Sequence, residues 1–194
     1  MIPQGWASER PTGTALRRAI EQHLTVKFIE WNEVDAYVTG LEAILGGIRV
    51  LARQKPTAAH QLALHFLRRI PTIFESVHDE TELADFCDEL SEAAIELGLK
   101  AKIPALRTVE VLLRLYAEDD YGRFGQVPDL LAASRFSSGD RAQCAQLADR
   151  LAAEPGTEVT RRGLLQVAQA LRPLPASRRS RKPIKPPIRT LSAK

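Results

Sequence analysis

Apolar residues recur every three or four positions from Leu16 to Leu171, and prolines at 56, 71, 104, 128 and 155 cut that rhythm into segments of helical length. Such spacing lines up apolar side chains along one stripe of a helix. Leu16, Ile20, Leu24 and Phe28 give a first stripe. Val34, Tyr37, Val38, Leu41, Ile44, Leu45, Ile48 and Leu51 give a second and wider one, with Asn32 placed to cap it. Gly40, Gly46 and Gly47 inside that helix each cost up to about 1 kcal/mol relative to alanine, so they predict close approach of a neighbour or a bend.

Pro56 suits the first turn of a third helix carrying Leu62, Leu64, Phe66, Leu67 and Ile70, and Pro71 ends it. Ile73, Phe74 and Val77 make a short helical piece. Asp79 with Glu82, or Thr81, caps a segment that buries Leu83, Phe86, Cys87, Leu90, Ala94 and Leu97, and Gly98 is expected to stop it. Pro104 opens a helix through Leu106, Val109, Leu112, Leu113 and Tyr116. A polar turn spans Asp119 to Gly125, followed by a short helix from Val127 to Ala133. Ser137 or Ser138 caps a helix with Cys144, Leu147 and Leu151 inward, Pro155-Gly156 breaks it, and Val159 to Leu171 is the last helix.

No stretch alternates apolar and polar residues as a half-buried strand does. The expected fold is therefore all-α: about eight or nine helices in antiparallel hairpins, stacked as a short repeat-like superhelix. The tetratricopeptide consensus is absent, and no strict internal repeat stands out. Residues 1–13, with Pro3, Gly5, Pro11 and Gly13, read as a loose lead-in, 14–172 as a single helical domain, and 173–194 as a disordered tail.

Leu171 to Lys194 holds eight basic residues (Arg172, Arg178, Arg179, Arg181, Lys182, Lys185, Arg189 and Lys194) and no Asp or Glu. Subtracting these eight from the 27 Lys and Arg of the whole chain leaves 19, against 24 Asp and Glu, in the first 170 residues. The modest net charge of +3 thus joins an acidic body to a basic tail. Pro173, Pro175, Pro183, Pro186 and Pro187 oppose helix there and favour extended, polyproline-like geometry. Arg178, Arg179, Arg181, Lys182, Lys185 and Arg189 are the candidate contacts for an anionic partner. Three roles compete for the tail: binding nothing, holding phosphates of RNA or DNA, or docking Pro-Ile-Lys-Pro-Pro on a protein groove. A fourth arrangement folds it against its own acidic body. With no aromatic residue in the tail to stack a base, nucleic-acid contact there would be non-specific and strongly salt-dependent.

Cys87 and Cys144 are too few and too far apart for a disulfide framework or a zinc site, and a reducing compartment is the simplest expectation. The first ten residues lack the basic-then-apolar pattern of a secretory signal, and no run reaches the ~18–20 apolar residues that cross a bilayer. The expected location is cytoplasmic, without membrane insertion.

Val77-His78-Asp79-Glu80-Thr81-Glu82-Leu83 and Leu115-Tyr116-Ala117-Glu118-Asp119-Asp120-Tyr121-Gly122-Arg123-Phe124, set in the helical pattern from Leu16 to about Leu151, resemble an uncharacterised bacterial family of helical domains of unknown function, sometimes found beside SWIM-type zinc fingers. In that family the first motif tends to read as two Asp, a small residue and Asp-Gly, where this chain has His-Asp-Glu-Thr-Glu. The second motif is closer, and an expected later Leu-Gly…Gly-Leu stretch is replaced by Leu131 to Phe136. The resemblance implies a helical superhelix and no known activity, so it assigns no catalytic residue.

Phosphate-binding glycine loops, Cys-x-x-Cys, His-Glu-x-x-His and a Gly-x-Ser-x-Gly elbow are all missing. Three weaker groupings remain. His78, Asp79, Glu80 and Glu82, with Asp85 one turn on, gather at a helix start; they can hold a cation, but acids there also complement the helix dipole, which is the favoured reading. His60 and His65 are five apart, off the three-or-four spacing that places two ligands on one face, so a structural role is favoured. Asp119 and Asp120 before Tyr121-Gly122 can serve acid–base chemistry, but Asp beside Gly is ordinary in turns and no nucleophile accompanies them. Trp31 is expected to cap core packing at a helix junction, and Cys144 to be an inert small hydrophobe. Neither catalytic residue, cofactor nor metal is assigned. The leading expectation is a non-enzymatic scaffold or adaptor for a protein partner; the alternative is a nucleic-acid accessory protein acting through its tail.

Overall fold

The structure, a computed structural model, describes residues 11–26, 28–77 and 81–172. The expectations for residues 1–10, for the cluster members His78, Asp79 and Glu80, and for the tail from Pro173, with its six candidate basic contacts, lie outside the described residues.

Eight α-helices follow in order: α1 (Gly13–His23), α2 (Val34–Leu51), α3 (Pro56–Arg69), α4 (Glu82–Lys100), α5 (Ala105–Glu118), α6 (Val127–Ala133), α7 (Ser138–Ala152) and α8 (Glu158–Leu171). Two 3-10 turns, Trp31–Glu33 and Ile70–Ile73, lie between them. Among the described residues the only extended pairing is a single parallel bridge between Ile29 and Val77.

The packing is that of stacked hairpins. Each helix packs on its partner, α1 on α2, α3 on α4, α5 on α6 and α7 on α8. Odd helices form one layer, with α1 against α3, α3 against α5 and α5 against α7. Even helices form the other, α2 against α4, α4 against α6 and α6 against α8. Short connections make successive helices antiparallel, so the four even helices run the same way. The buried apolar side chains form one continuous cluster from Leu16 to Leu171. Its largest members, Phe66, Phe86 and Phe124, come from α3, from α4 and from the loop before α6.

Local chemistry accounts for the boundaries. The Thr12, Ser137 and Thr157 hydroxyls accept the backbone N–H three residues on, at 3.2, 3.1 and 3.1 Å, and so cap α1, α7 and α8. Pro56 and Pro128 occupy first turns, where their missing N–H costs nothing. Pro71 has no amide to continue α3, and the chain tightens into the 3-10 turn there.

Four expectations need correction. The first stripe does not reach Phe28, because α1 ends at His23 and the Thr25 hydroxyl donates to the Glu21 carbonyl at its end. The chain then runs extended, Ile29 N–H donates to Ser76 O at 2.8 Å, and Ile29 turns inward. Neighbouring side chains in extended backbone point to opposite sides, so Phe28 faces out, 51% exposed. Trp31 does not cap the core: it is 77% exposed in the 3-10 turn, and Val34 fills the junction instead. Asn32 lies inside that turn, and Glu33 takes the position before α2.

Gly98 does not stop α4, which continues to Lys100. The end is made by Lys102 at φ 54°, with Lys102 N–H donating to Leu99 O at 3.1 Å and Ile103 N–H to Gly98 O at 3.0 Å. That is the Schellman pattern with lysine in the left-handed position usually given to glycine. Gly98 serves packing: a β-carbon there would lie 3.1 Å from Thr108 Oγ1 and 3.2 Å from His60 Nε2.

Gly40 shows the close approach its position predicts. A β-carbon there would lie 2.4 Å from the His23 ring, which stacks on Tyr37 with centroids 4.6 Å apart. His23 Nε2 hydrogen-bonds with Tyr37 O at 3.0 Å, and the Tyr37 hydroxyl donates to His23 O at 2.8 Å, locking α1 to α2. Gly46 has open space around it.

Candidate functional site

The outward face of the even layer carries a groove of about 280 Å³ between α2 and α4. Asp35, Val38, Thr39 and Glu42 line it from α2, and Glu82, Asp85, Phe86 and Glu89 from α4. Each set sits at spacing i, i+3, i+4, i+7, which puts it on one stripe of its helix. Stacking brings the two stripes face to face. Val38 and Phe86 are buried and form an apolar floor, while Asp35, Thr39, Glu42 and Asp85 are exposed at the rim.

Five of the eight lining residues are carboxylates, and none is a cation. At the groove Glu89 pairs with Arg49 of α2 at 2.5 Å, both half exposed. Exposed pairs of this kind contribute about 0.2–1 kcal/mol, so Arg49 is a weak local counter-ion. Trp31, in the 3-10 turn four residues before Asp35, leaves its indole exposed at the same end of α2. The groove thus combines an apolar floor, an anionic rim and a neighbouring exposed indole, a surface suited to an extended cationic chain.

Asp88 follows Asp85 by three residues and turns toward α6, where the Gln126 backbone N–H hydrogen-bonds its carboxylate. Its Oδ1 is buried and has no partner among the described residues. Burial, and secondarily the Asp85 charge, push its carboxyl up from 3.8 to about 6. The folded protein therefore binds this proton more tightly than the unfolded chain. The group's effect on stability is most favourable below pH 4 and is lost as pH rises through 6. Asp88→Asn is expected to stabilise by about 1–2 kcal/mol at pH 7, allowing for partial solvent access, and by little at pH 4. Urea melts at the two pH values check this; an equal change at both would remove the electrostatic cause.

The other predicted groupings are committed to structure. His60 is buried and hydrogen-bonds with Thr108 Oγ1 at 2.8 Å, joining α3 to α5, and burial lowers its pKa. His65 hydrogen-bonds with Glu21 at 2.7 Å, and Arg69 pairs with the same carboxylate at 3.3 Å, joining α1 to α3. The two histidines thus face different partners.

Asp119 accepts Tyr121 N–H at 3.0 Å and Phe124 N–H at 2.7 Å, tying a loop in which Gly122 holds φ 73°. That conformation suits glycine. The loop presents Arg123 inward, 3% exposed, its guanidinium 4.6 Å from the ring centres of both Phe74 and Tyr121. Arg123 Nη2 donates to Phe74 O at 3.3 Å. Cys87 and Cys144 are buried free thiols, and burial pushes both upward, Cys144 to about 11.

Among the described residues no three His, Cys, Asp or Glu side chains gather closely enough to hold a metal ion, and no helix is long and apolar enough to cross a membrane. Of the acidic cluster at the start of α4, Glu82 and Asp85 line the groove. Asp35, Glu42 and Glu89 were not singled out from the sequence. The available signal was acids at i and i+7 on each of two separate helices, with a further acid at i+3 on α4, which means little until the helices are known to be neighbours.

No protein-family model matches this chain, and no curated protein or solved structure matches it either.

Proposed function

We propose that this protein is a non-enzymatic helical adaptor that binds an extended, basic segment of a protein partner along the α2/α4 groove. The observation that carries this reading is the groove itself: two facing stripes supply five carboxylates above Val38 and Phe86. An extended peptide can lay alternate side chains on such a floor while its lysines or arginines meet the rim. Stacked helical hairpins commonly present their layer faces as binding surfaces. The alternative, non-specific nucleic-acid binding through the basic segment after α8, is favoured by eight cations in 24 residues and opposed by the acidic excess of the rest of the chain.

Fluorescence anisotropy of the full chain tests the reading with three probes: a labelled twelve-residue peptide of alternating lysine and proline, its glutamate counterpart, and single-stranded oligo-dT. The lysine peptide is expected to bind and the glutamate peptide not. Glu42→Lys with Asp85→Lys is expected to weaken the lysine peptide about tenfold, since two rim pairs of up to ~1 kcal/mol each are replaced by repulsion. Binding that the double reversal leaves unchanged would remove the groove. Preference for oligo-dT that survives the reversal would favour the nucleic-acid reading.

A further inference from the structure

We infer that the groove has an occupant within the same chain: the basic, proline-rich segment Arg178–Arg189 docks along α2 and α4 and competes with any partner for that surface. This rests on the groove reading above and adds a regulatory layer to it. The first support is charge. The segment carries Arg178, Arg179, Arg181, Lys182, Lys185 and Arg189 with no acid, and the groove is lined by Asp35, Glu42, Glu82, Asp85 and Glu89 with no Lys or Arg among its lining residues.

Shape is the second support. Pro183, Pro186 and Pro187 favour an extended chain that loses little entropy on docking. Such chains pack prolines against exposed aromatic rings, and Trp31 offers one beside Asp35.

The third support is reach. The segment follows α8, which belongs to the same layer as the groove, with α6 between α8 and α4. Neighbouring helices lie about 8–10 Å apart, so two steps from α8 to α4 cover roughly 20 Å. The groove residues sit in the first halves of α2 and α4, and the fourteen residues of α8 span about 21 Å in the same direction. The straight path from Arg172 is thus on the order of 30 Å. At ~3.1 Å per residue, Arg178 lies up to about 19 Å and Arg189 up to about 53 Å beyond Arg172, so the basic residues bracket that distance.

Tethering lets weak contacts suffice. A tether of this length gives an effective concentration near 1 mM, so an intrinsic affinity of about 0.1 mM fills the groove roughly 90% of the time. A competing peptide then binds about tenfold more weakly than it does to an open groove.

The test uses the full chain. Because Cys87 and Cys144 are buried, Lys182→Cys provides a selectively labelled thiol for a nitroxide. At low salt the label is expected to broaden the backbone NMR signals of residues 35–42 and 82–89 selectively. Broadening should disappear in 0.5 M salt and in the Glu42→Lys, Asp85→Lys background, and should not change on tenfold dilution. Separately, replacing all six basic residues of 178–189 by glutamine should tighten the lysine–proline peptide about tenfold. Even broadening over the whole surface, or none, overturns the inference. So does broadening transferred from a labelled chain to an isotope-labelled second chain, which would mean exchange between molecules. Peptide binding without selective broadening removes the internal occupant and leaves the adaptor; selective broadening in a chain that binds no peptide removes the adaptor and leaves the occupant.

Discussion

Arg123→Ala is expected to destabilise the fold by about 3 kcal/mol. The guanidinium sits in the corner where the Phe74 and Tyr121 rings meet at 73°, its carbon 4.6 Å from each ring centre, and a desolvated cation–π contact contributes up to about 2 kcal/mol. Its bond to the Phe74 carbonyl adds about 1.5–3 kcal/mol in the usual range for a charged donor. The cost of holding a charge away from water offsets part of this, and truncation leaves a cavity between Phe74 and Tyr121 that adds to the loss. Arg123→Lys should cost less, about 1.5 kcal/mol, since an ammonium keeps the charge but has no planar face to lay on a ring and no fork to reach the Phe74 carbonyl at the same time. Denaturant melts check both, with a lowered midpoint at constant slope. A loss below 0.5 kcal/mol in the alanine variant would show that Arg123 does not hold these two rings together.

Gly163→Ala is expected to cost about 2–3 kcal/mol, although alanine is the better helix former by up to about 1 kcal/mol. A β-carbon at 163 would lie 1.8 Å from the Tyr116 hydroxyl oxygen, 2.7 Å from Cζ and 3.0 Å from Cε1. The ring of Tyr116 lies close on the α8 backbone there, and any side chain at 163 must turn that ring out of its place at the α5/α8 seam. Adding Tyr116→Ala removes the obstacle, so in that background Gly163→Ala should turn neutral or stabilising. The coupling between the two changes should be about 3 kcal/mol. Gly46→Ala is the control: nothing lies within 4 Å, and the change should stabilise by up to about 1 kcal/mol. Equal effects at 46 and 163 would contradict the close seam.

The helices were legible because burial in this fold follows one rule, an apolar stripe at helical spacing. Leu16 and Ile20, the face from Val34 to Leu51, and Val109 with Leu112 and Leu113 all lie inward as that rule requires. Prolines 56 and 128 mark helix starts for a purely local reason, and so does the Ser137 cap. What was not legible depends on a neighbour. Gly98 looks like a terminator in one dimension and is a contact with His60 and Thr108 in three. Lys102 gave no warning, because lysine rarely takes a left-handed conformation. Phe28 fitted the stripe, and only the bridge from Ile29 to Val77 decides which side chain turns in. The acidic groove needs α2 and α4 side by side, and no spacing within either helix reveals that pairing.

A linear stack also confines damage. Every hairpin leans only on the one before and the one after it, so a lesion at the α5/α8 seam loosens the far end while α2 and α4 keep their mutual support. Injury at one extremity is thereby kept from the other: a variant can lose much of its resistance to denaturant and still hold the α2/α4 surface in shape.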